Sequence, residues 1–168
     1  MKKSDQWLFW SIMIVALQWV VIDQFQVSTY ITPYAYVLVL LLAPARWERG
    51  VHIGLGILVG MIMDFHYMTG GLHLMACSLL GFVRPWLTQA VMPRAKEEDL
   101  EFTVHEIGHG PWLLYSLWGV GIHHIWMLLW DAFRWDRALY WLGQSSLSIL
   151  ATLMLIWLIA ITLPRRRS

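Results

Sequence analysis

The residues of this chain that could do chemistry are histidines and carboxylates in or beside apolar runs. His105, Glu106 and His109 spell H-E-x-x-H, the zinc-protease pattern in which two histidine ligands one helical turn apart flank a general base. That pattern needs a continuous helix and a third ligand. Gly108 interrupts it, a Gly-Pro pair follows it, and no downstream helix carries an obvious acid at the right depth. We therefore expect a loop that leads into a membrane span, with a metal centre as the less favoured reading.

Four polar residues inside apolar runs form a second group of candidates: Asp64, His73, His123 and His124. A carboxylate or an imidazole in hydrocarbon is costly, and it normally faces a partner or a wet cavity. By rise per residue, His73 and His124 lie at similar depths, so a haem held between them is geometrically allowed. Intramembrane histidines more often form hydrogen bonds across helices or line a polar pocket. We therefore expect no cofactor at these positions.

The stretch from residue 50 to residue 85 must position most of these groups. Its first half carries four glycines at mostly four-residue spacing ahead of Asp64: Gly50, Gly54, Gly56 and Gly60. On a helix that turns about 100° per residue, these positions fall within roughly 160° of one another. A face without side chains permits close approach of two backbones, and Gly-x-x-x-Gly is its usual signature in membranes. A turn at residues 68–71 then predicts a second helix, folded back on the first.

The second helix of this hairpin carries His73, Cys77 and Arg84 at spacings of four and seven residues, which places them on one face. The proline after Arg84 predicts a kink there. The depths of Asp64 and Arg84 differ by roughly 12 Å at 1.5 Å per residue, so we do not expect a direct pair. Asp64 is instead predicted to pair with His66 or His73.

The composition classes the chain as an integral membrane protein. Hydrophobic residues make up 58% of its 168 residues, twelve are tryptophan, and only 14% are charged. Apolar runs long enough to cross a bilayer, with the charges between them, predict a single all-α domain, a bundle of six transmembrane helices. The predicted spans are residues 7–22, 31–45, 51–66, 72–92, 111–130 and 139–163. The second is short for a bilayer of about 30 Å, which favours a thin or partly buried helix.

The distribution of positive charge predicts the orientation of the bundle. Six spans put both termini on one side, and nine Lys and Arg residues then fall on that side against two on the other. By the positive-inside rule, both termini face the cytoplasm. The first apolar run follows Lys2 and Lys3 and lacks a small-residue cleavage site, so we expect a retained helix rather than a signal peptide. We expect membrane lipid but no nucleic acid among the partners.

Several short blocks of the sequence form a joint pattern. They are Gly56-x-x-x-Gly60-x-x-x-Asp64, then Thr69-Gly70-Gly71-Leu72-His73, then Gly81-Phe82-Val83-Arg84-Pro85. Together with the run from Pro33 to Pro44, they resemble MreD, the small membrane subunit of the bacterial rod-shape system. A block from Glu106 to His123 and His124 resembles a branch of the same family. The His105 and His109 pair departs from it.

The resemblance implies a non-enzymatic, rod shape-determining protein of the bacterial cytoplasmic (inner) membrane. Such a protein binds MreC and so supports the elongasome, which contains the actin-like filament MreB, the glycosyltransferase RodA and its partner transpeptidase. The function implied is peptidoglycan synthesis and the maintenance of cell shape. A six-helix fold similar to the substrate-binding subunits of vitamin transporters is also implied. By position, the motif residues are Gly56, Gly60, Asp64, Gly71, His73, Arg84 and Pro85.

Two alternatives from other classes stay open. A small-molecule-binding subunit of a membrane transporter would use Asp64, His73 and His123 to line its pocket. A membrane zinc protease would use the three residues of the H-E-x-x-H pattern.

Overall fold

The computed structural model describes residues 3–24, 31–93, 103–131 and 138–163, and the regular elements within these ranges are all helices. We number them α1 (Lys3–Leu17), which continues as a π-helical turn (Gln18–Ile22), α2 (Val37–Leu41), α3 (Arg49–Tyr67), α4 (Leu72–Val91), α5 (Val104–Ile107), α6 (His109–Asp131) and α7 (Ala138–Thr162). Many of the basic residues behind the predicted orientation lie outside the described residues, at positions 2, 94, 96, 134, 137 and 165–167.

Within these described ranges, four helices, α3, α4, α6 and α7, are long and apolar enough to cross a membrane. Large apolar side chains on these helices are exposed, among them Leu58, Phe65, Trp118 and Met154. Lipid tails solvate such a surface, whereas water does so only at a high cost in free energy. The chain is therefore an all-helical membrane protein, as its composition predicts. A shorter apolar helix, Gln6–Ile22, coincides with the first predicted span.

The second predicted span contains much less helix than expected. Only Val37–Leu41 is helical, and the residues on either side of it follow an irregular path of turns. Prolines at positions 33 and 44 bracket the run, and a proline disfavours helical backbone at the residue before it. Every residue of α2 is buried, so the predicted burial is confirmed, while the predicted length of the helix is wrong. We refer to residues 31–45 as the central segment.

The predicted hairpin of α3 and α4 is confirmed, and it frames the bundle. α4 packs against α3, α6 and α2, and α6 packs in turn against α7. The turn between α3 and α4 has positive φ at Met68 (54°), Gly70 (64°) and Gly71 (106°). Gly71 directly precedes α4, and its φ is one that a residue with a Cβ rarely adopts. We call the end of the bundle that carries this turn the turn end.

Two of the four α3 glycines bring the backbone of that helix against α4. A Cβ at Gly56 would overlap a backbone carbonyl of α4, and one at Gly60 would lie 2.8 Å from another carbonyl oxygen. On α4, Gly81 makes the reciprocal approach to the α3 backbone. Gly50 and Gly54, in contrast, are exposed, with nothing within 4 Å of an added Cβ. At about 100° per residue, Gly54 lies roughly 160° from Gly56, so the packing face is narrower than the sequence predicted.

Candidate functional site

The central segment has irregular backbone inside the bundle, so its amide and carbonyl groups need partners from other elements. At membrane depth, backbone of this kind is tolerated only where other protein groups or water satisfy it. At the turn end, two hydroxyl groups of α7 accept hydrogen bonds from backbone amides of the central segment. Ser148 Oγ accepts a hydrogen bond from the Thr32 amide at 3.1 Å, and Thr152 Oγ1 accepts one from the Tyr34 amide at 3.0 Å.

Gln18 bonds the next part of the segment from the π-helical turn after α1. Its side chain is fully buried, its Oε1 accepts from the Ala35 amide at 2.7 Å, and its Nε2 lies 3.2 Å from the Pro33 carbonyl oxygen. The same Nε2 lies 2.7 Å from a carboxylate oxygen of Asp23 and 3.0 Å from the Tyr67 hydroxyl. Gln18 therefore ties the central segment to both α1 and α3.

Asp23 extends this network to the end of α3. The Tyr67 hydroxyl donates to the Asp23 carboxylate at 2.8 Å, and His66 Nε2 lies 2.9 Å from its other oxygen. The ring of His66 also stacks on Trp19, with ring centroids 4.8 Å apart. His66 thus pairs with Asp23, and the predicted pairing of His66 with Asp64 is wrong.

Asp64 caps the amino terminus of α4. Its Oδ1 accepts hydrogen bonds from the Thr69 hydroxyl at 2.5 Å and the His73 amide at 2.9 Å, and its Oδ2 accepts from the Leu74 amide at 2.8 Å. The first amides of a helix lack partners within the helix and carry partial positive charge, so a carboxylate is stabilised there. Asp64 meets His73 as predicted, but through the backbone amide rather than the imidazole.

The imidazole of His73 instead meets Tyr36 of the central segment. The Tyr36 hydroxyl lies 2.5 Å from His73 Nδ1 and 3.0 Å from His123 Nε2, and all three side chains are buried. Because a phenol has one proton, it donates to one imidazole and accepts from the other. Cys77 Sγ lies 3.7 Å from the same nitrogen of His123. One hydroxyl therefore joins α4, α6 and the central segment.

His124 is engaged at both ring nitrogens. Its Nδ1 lies 3.0 Å from the Val120 carbonyl oxygen, and its Nε2 lies 3.3 Å from Thr152 Oγ1. A carbonyl only accepts, so Nδ1 carries the proton and Nε2 accepts from the threonine hydroxyl. This arrangement leaves neither nitrogen for iron, so the geometry does not fit a haem held between His73 and His124.

Arg84 bonds the far end of the central segment, in what we call the Arg84 cluster. Its Nη2 donates to the carbonyl oxygens of Leu41, at 3.1 Å, and of Ala43, while its Nη1 lies 3.2 Å from Nε2 of His52. Tyr115 of α6 donates to the same Leu41 carbonyl oxygen at 2.9 Å. Arg84 is only 1% exposed. Its guanidinium therefore serves backbone groups at the end of α2, and the predicted absence of a pair with Asp64 agrees with this geometry.

The three residues predicted to share one face of α4, His73, Cys77 and Arg84, are all buried, which confirms that face. Pro85 lies inside α4, and the helix continues past it to Val91. Pro85 has no amide proton, so it removes the helical donor for the carbonyl four residues earlier.

A polar cavity of about 220 Å³ lies at the turn end, and we call it the turn-end cavity. Its walls include Tyr34, Thr69, His73, His124, Ser145 and Ser148. Of the three residues predicted to line a pocket (Asp64, His73 and His123), His73 is the one on the wall of this cavity. Asp64 is turned to the α4 amides, and His123 faces Tyr36, while its neighbour His124 takes the place on the cavity wall.

The H-E-x-x-H residues do not form the helix that a zinc site of this type requires. α5 ends at Ile107, Gly108 has φ 82° and ψ 164°, and a separate helix begins at His109. His105 Nε2 lies 3.0 Å from a backbone carbonyl oxygen just after α7, and the ring of His109 packs near Trp157. Within the described parts of the chain, no three His, Cys, Asp or Glu side chains are grouped to hold a metal.

The sequence reading missed the polar side chains that bond the central segment: Gln18, Tyr36, Tyr115, Ser148 and Thr152. One signal was present, because Gln18 is the one amide side chain in the apolar run from residue 7 to residue 22. The others are phenol and hydroxyl groups, which are common in membrane helices and carry no such signal.

The chain matches no protein-family model, no curated protein and no solved structure. Fold and site together define the class: an all-helical membrane protein in which polar side chains from α1, α4, α6 and α7 hold a buried, irregular segment.

Proposed function

We propose that this chain is an MreD-like subunit of the rod-shape machinery in the bacterial cytoplasmic membrane. It binds MreC, supports peptidoglycan synthesis by MreB, RodA and the partner transpeptidase, and has no catalytic role. The observation that carries the proposal is that the residues of the resemblance belong to one structural unit. Within it, Gly56 and Gly60 lie at the helix contact, Asp64 and Gly71 at the turn, and His73 and Arg84 against the central segment.

The proposal includes six membrane crossings with both termini in the cytoplasm. α1 with its π-helical turn is the first crossing, the central segment is the second, and the four long helices are the others. The central segment runs alongside α4, because Tyr36 contacts His73 while Leu41 and Ala43 contact Arg84. From residue 73 to residue 84, α4 rises about 16 Å, a large part of a hydrocarbon core of about 30 Å. These contacts support a buried segment that crosses the membrane without being a full helix.

Co-purification with MreC tests the proposal, with two glycines of α3 as a matched pair. In Gly60→Leu the side chain enters the contact with α4, so we expect the hairpin to separate and the captured MreC to fall to background. In Gly54→Leu the side chain points away from any neighbour in the described bundle, so we expect capture equal to that of the native chain. Monodisperse elution of each variant is the control for folding.

Failure of the native chain to retain MreC after gentle detergent extraction would contradict the proposal. If a monodisperse Gly60→Leu variant captured as much MreC as the native chain, the close contact of α3 and α4 would not be needed for MreC binding.

The orientation is tested by labelling single cysteines in intact cells with a membrane-impermeant maleimide. The native Cys77 is buried, so the background is low. Met68→Cys, in the exposed α3–α4 turn, should react in intact cells, whereas Arg46→Cys should react only after permeabilisation. The reverse pattern would contradict cytoplasmic termini.

A further inference from the structure

We propose that the turn-end cavity binds a small, uncharged molecule that carries both hydrogen-bond donors and acceptors. This inference goes beyond the proposed function and does not depend on it.

The first argument is that polar groups on the cavity wall have unused bonding capacity. Among the described residues, Tyr36 is the hydrogen-bond partner of the His73 ring, at Nδ1, which leaves Nε2 for the cavity that His73 lines. The Ser145 hydroxyl makes no hydrogen bond to a described residue, and Ser148 accepts from the Thr32 amide while its own proton is still available. These groups border the cavity, so a ligand with complementary donors and acceptors can form hydrogen bonds to them.

The second argument is the mixed character of the walls. Besides the hydroxyl groups, the wall contains the apolar side chains of Leu72, Met127 and Leu128, and the ring of Tyr34 adds an aromatic surface. Ligand sites combine apolar walls with a few placed polar groups, and this cavity has both. At about 30 Å³ per water molecule, the volume equals roughly seven waters. It is smaller than the roughly 300–1,000 Å³ of sites for drug-sized ligands, which limits the occupant to a small molecule.

The third argument concerns charge. No Lys, Arg, Asp or Glu is among the described residues that line the cavity. The carboxylate of Asp64, which bonds the wall residues Thr69 and His73, is already held by the Thr69 hydroxyl and two amides of α4. A charged occupant would lose hydration without gaining a counterion, so the site favours a neutral one.

The experiment identifies what the cavity holds. The full chain is extracted from its native membranes in lipid nanodiscs, and small molecules released from it are identified by native mass spectrometry. In parallel, thermal unfolding is measured with three uncharged probes and their carboxylated counterparts: glucose with glucuronate, uracil with orotate, and nicotinamide with nicotinate.

Two pairs of variants assign any bound molecule to this cavity. Leu128→Phe fills the cavity from its apolar wall, and Leu129→Phe places the same side chain on the exposed side of the same helix. Ser145→Leu fills it from α7, and its neighbour Ser146→Leu is the matched control outside the cavity. If one of the two cavity-filling variants does not fold, the other variant and its control still give the test.

The expected result is a neutral bound molecule, or a thermal shift with an uncharged probe and none with its carboxylated counterpart. Occupancy or shift should fall at least about tenfold in the filling variants and stay unchanged in both controls. A native chain that holds only lipid and water and responds to no uncharged probe overturns the inference. Binding that survives in a folded filling variant, or an anionic ligand, overturns it as well. None of these outcomes changes the expected capture of MreC, so the two proposals fail separately.

Discussion

The two ends of α4 hold the same central segment by different means. In the Arg84 cluster, a guanidinium and the Tyr115 hydroxyl converge on carbonyl oxygens at the end of α2. At the turn end, uncharged imidazoles and hydroxyl groups bond Tyr36 and the backbone amides, beside a cavity. The first cluster directs its donors at backbone carbonyl groups, which is a structural role. The second borders the turn-end cavity, so some of its polar groups face a space that a ligand can enter.

The comparison also explains why one end uses a charge and the other does not. Carbonyl oxygens only accept hydrogen bonds, and an arginine offers five donors in a fixed fork. At the turn end the side chains that bond the segment are uncharged: hydroxyl oxygens of α7 accept from the Thr32 and Tyr34 amides, and Gln18 bonds both the Ala35 amide and the Pro33 carbonyl. The end that presents only carbonyl groups to its partners is therefore bonded by a cation and a phenol, and the end that presents both kinds of group is bonded by neutral side chains.

The largest expected effect is that of Arg84→Met. The change leaves the carbonyl groups of Leu41 and Ala43 short of donors inside the bundle, so we expect a loss of about 3 kcal/mol in the free energy of unfolding. Denaturation in mixed micelles measures it. Arg46→Met, in the exposed loop before α3, is the control: an exposed arginine contributes at most about 1 kcal/mol through its contacts, so we expect the smaller loss. Equal stability of the two variants would mean that Arg84 does not support the segment.

Gly56→Ala should have the next largest effect. The added Cβ overlaps a backbone carbonyl of α4, which must shift, and overpacking of this kind costs about 1–3 kcal/mol. The same change at the exposed Gly54 should be neutral or slightly stabilising, because alanine favours a helix by up to about 1 kcal/mol over glycine. Thermal midpoints of the two variants in one detergent give the comparison. Similar losses at both positions would contradict the narrow contact face.

Tyr36→Phe and Tyr115→Phe compare the two clusters through the same chemical change. Loss of the Tyr36 hydroxyl removes the hydrogen-bond partner of His73 Nδ1 and of His123 Nε2. We expect the free energy of unfolding to fall by about 1–2 kcal/mol. At Tyr115 the Leu41 carbonyl keeps its bond from Arg84, and Arg84, which also bonds Tyr115, keeps two backbone acceptors, so we expect the smaller cost of about 0.6 kcal/mol, an average for hydrogen bonds between membrane helices. The free energies of unfolding of the two variants, measured in the same micelles, test this order. A larger loss for Tyr115→Phe than for Tyr36→Phe would contradict the contrast between the two clusters.

Asp64→Asn should have a smaller and more local effect than Tyr36→Phe. The amide keeps one oxygen for the α4 amides, but it loses the negative charge at the helix terminus and one of the two acceptors, at a cost of about 1 kcal/mol. Amide hydrogen exchange at residues 73 and 74 should rise, while exchange in the last turns of α4 should not. Uniform loss of protection along α4 would contradict a local capping role.

The helical hairpin could be predicted from the sequence because its signals are local. Glycine spacing, the Gly70-Gly71 turn and the length of the apolar runs do not depend on distant parts of the chain. The finer choice between Gly56 and Gly54 could not be made, because both lie in the predicted arc and only the position of α4 decides between them.

The central segment and the polar cavity could not be predicted in the same way. The partner of the Tyr36 hydroxyl becomes evident only once residues 31–45 are known to lie beside α4. Ser148 and Thr152 are more than a hundred residues away from the amides that they bond, so no local pattern connects them. Asp64 was recognised as a residue that needs a partner, yet a carboxylate at the end of one helix gives no sign that its partner is the backbone of the next.

The dependence of the central segment on α7 has a consequence for biogenesis. Residues 31–45 leave the ribosome long before Ser148 and Thr152, and until those hydroxyl groups arrive the amides of Thr32 and Tyr34 have no acceptor in oil. This stretch cannot settle as an independent unit when it is synthesised. If it crosses the membrane as proposed, we expect it to stay near water or the insertion machinery until α7 is in place, although it comes early in the chain. Insertion order and chain order would then differ.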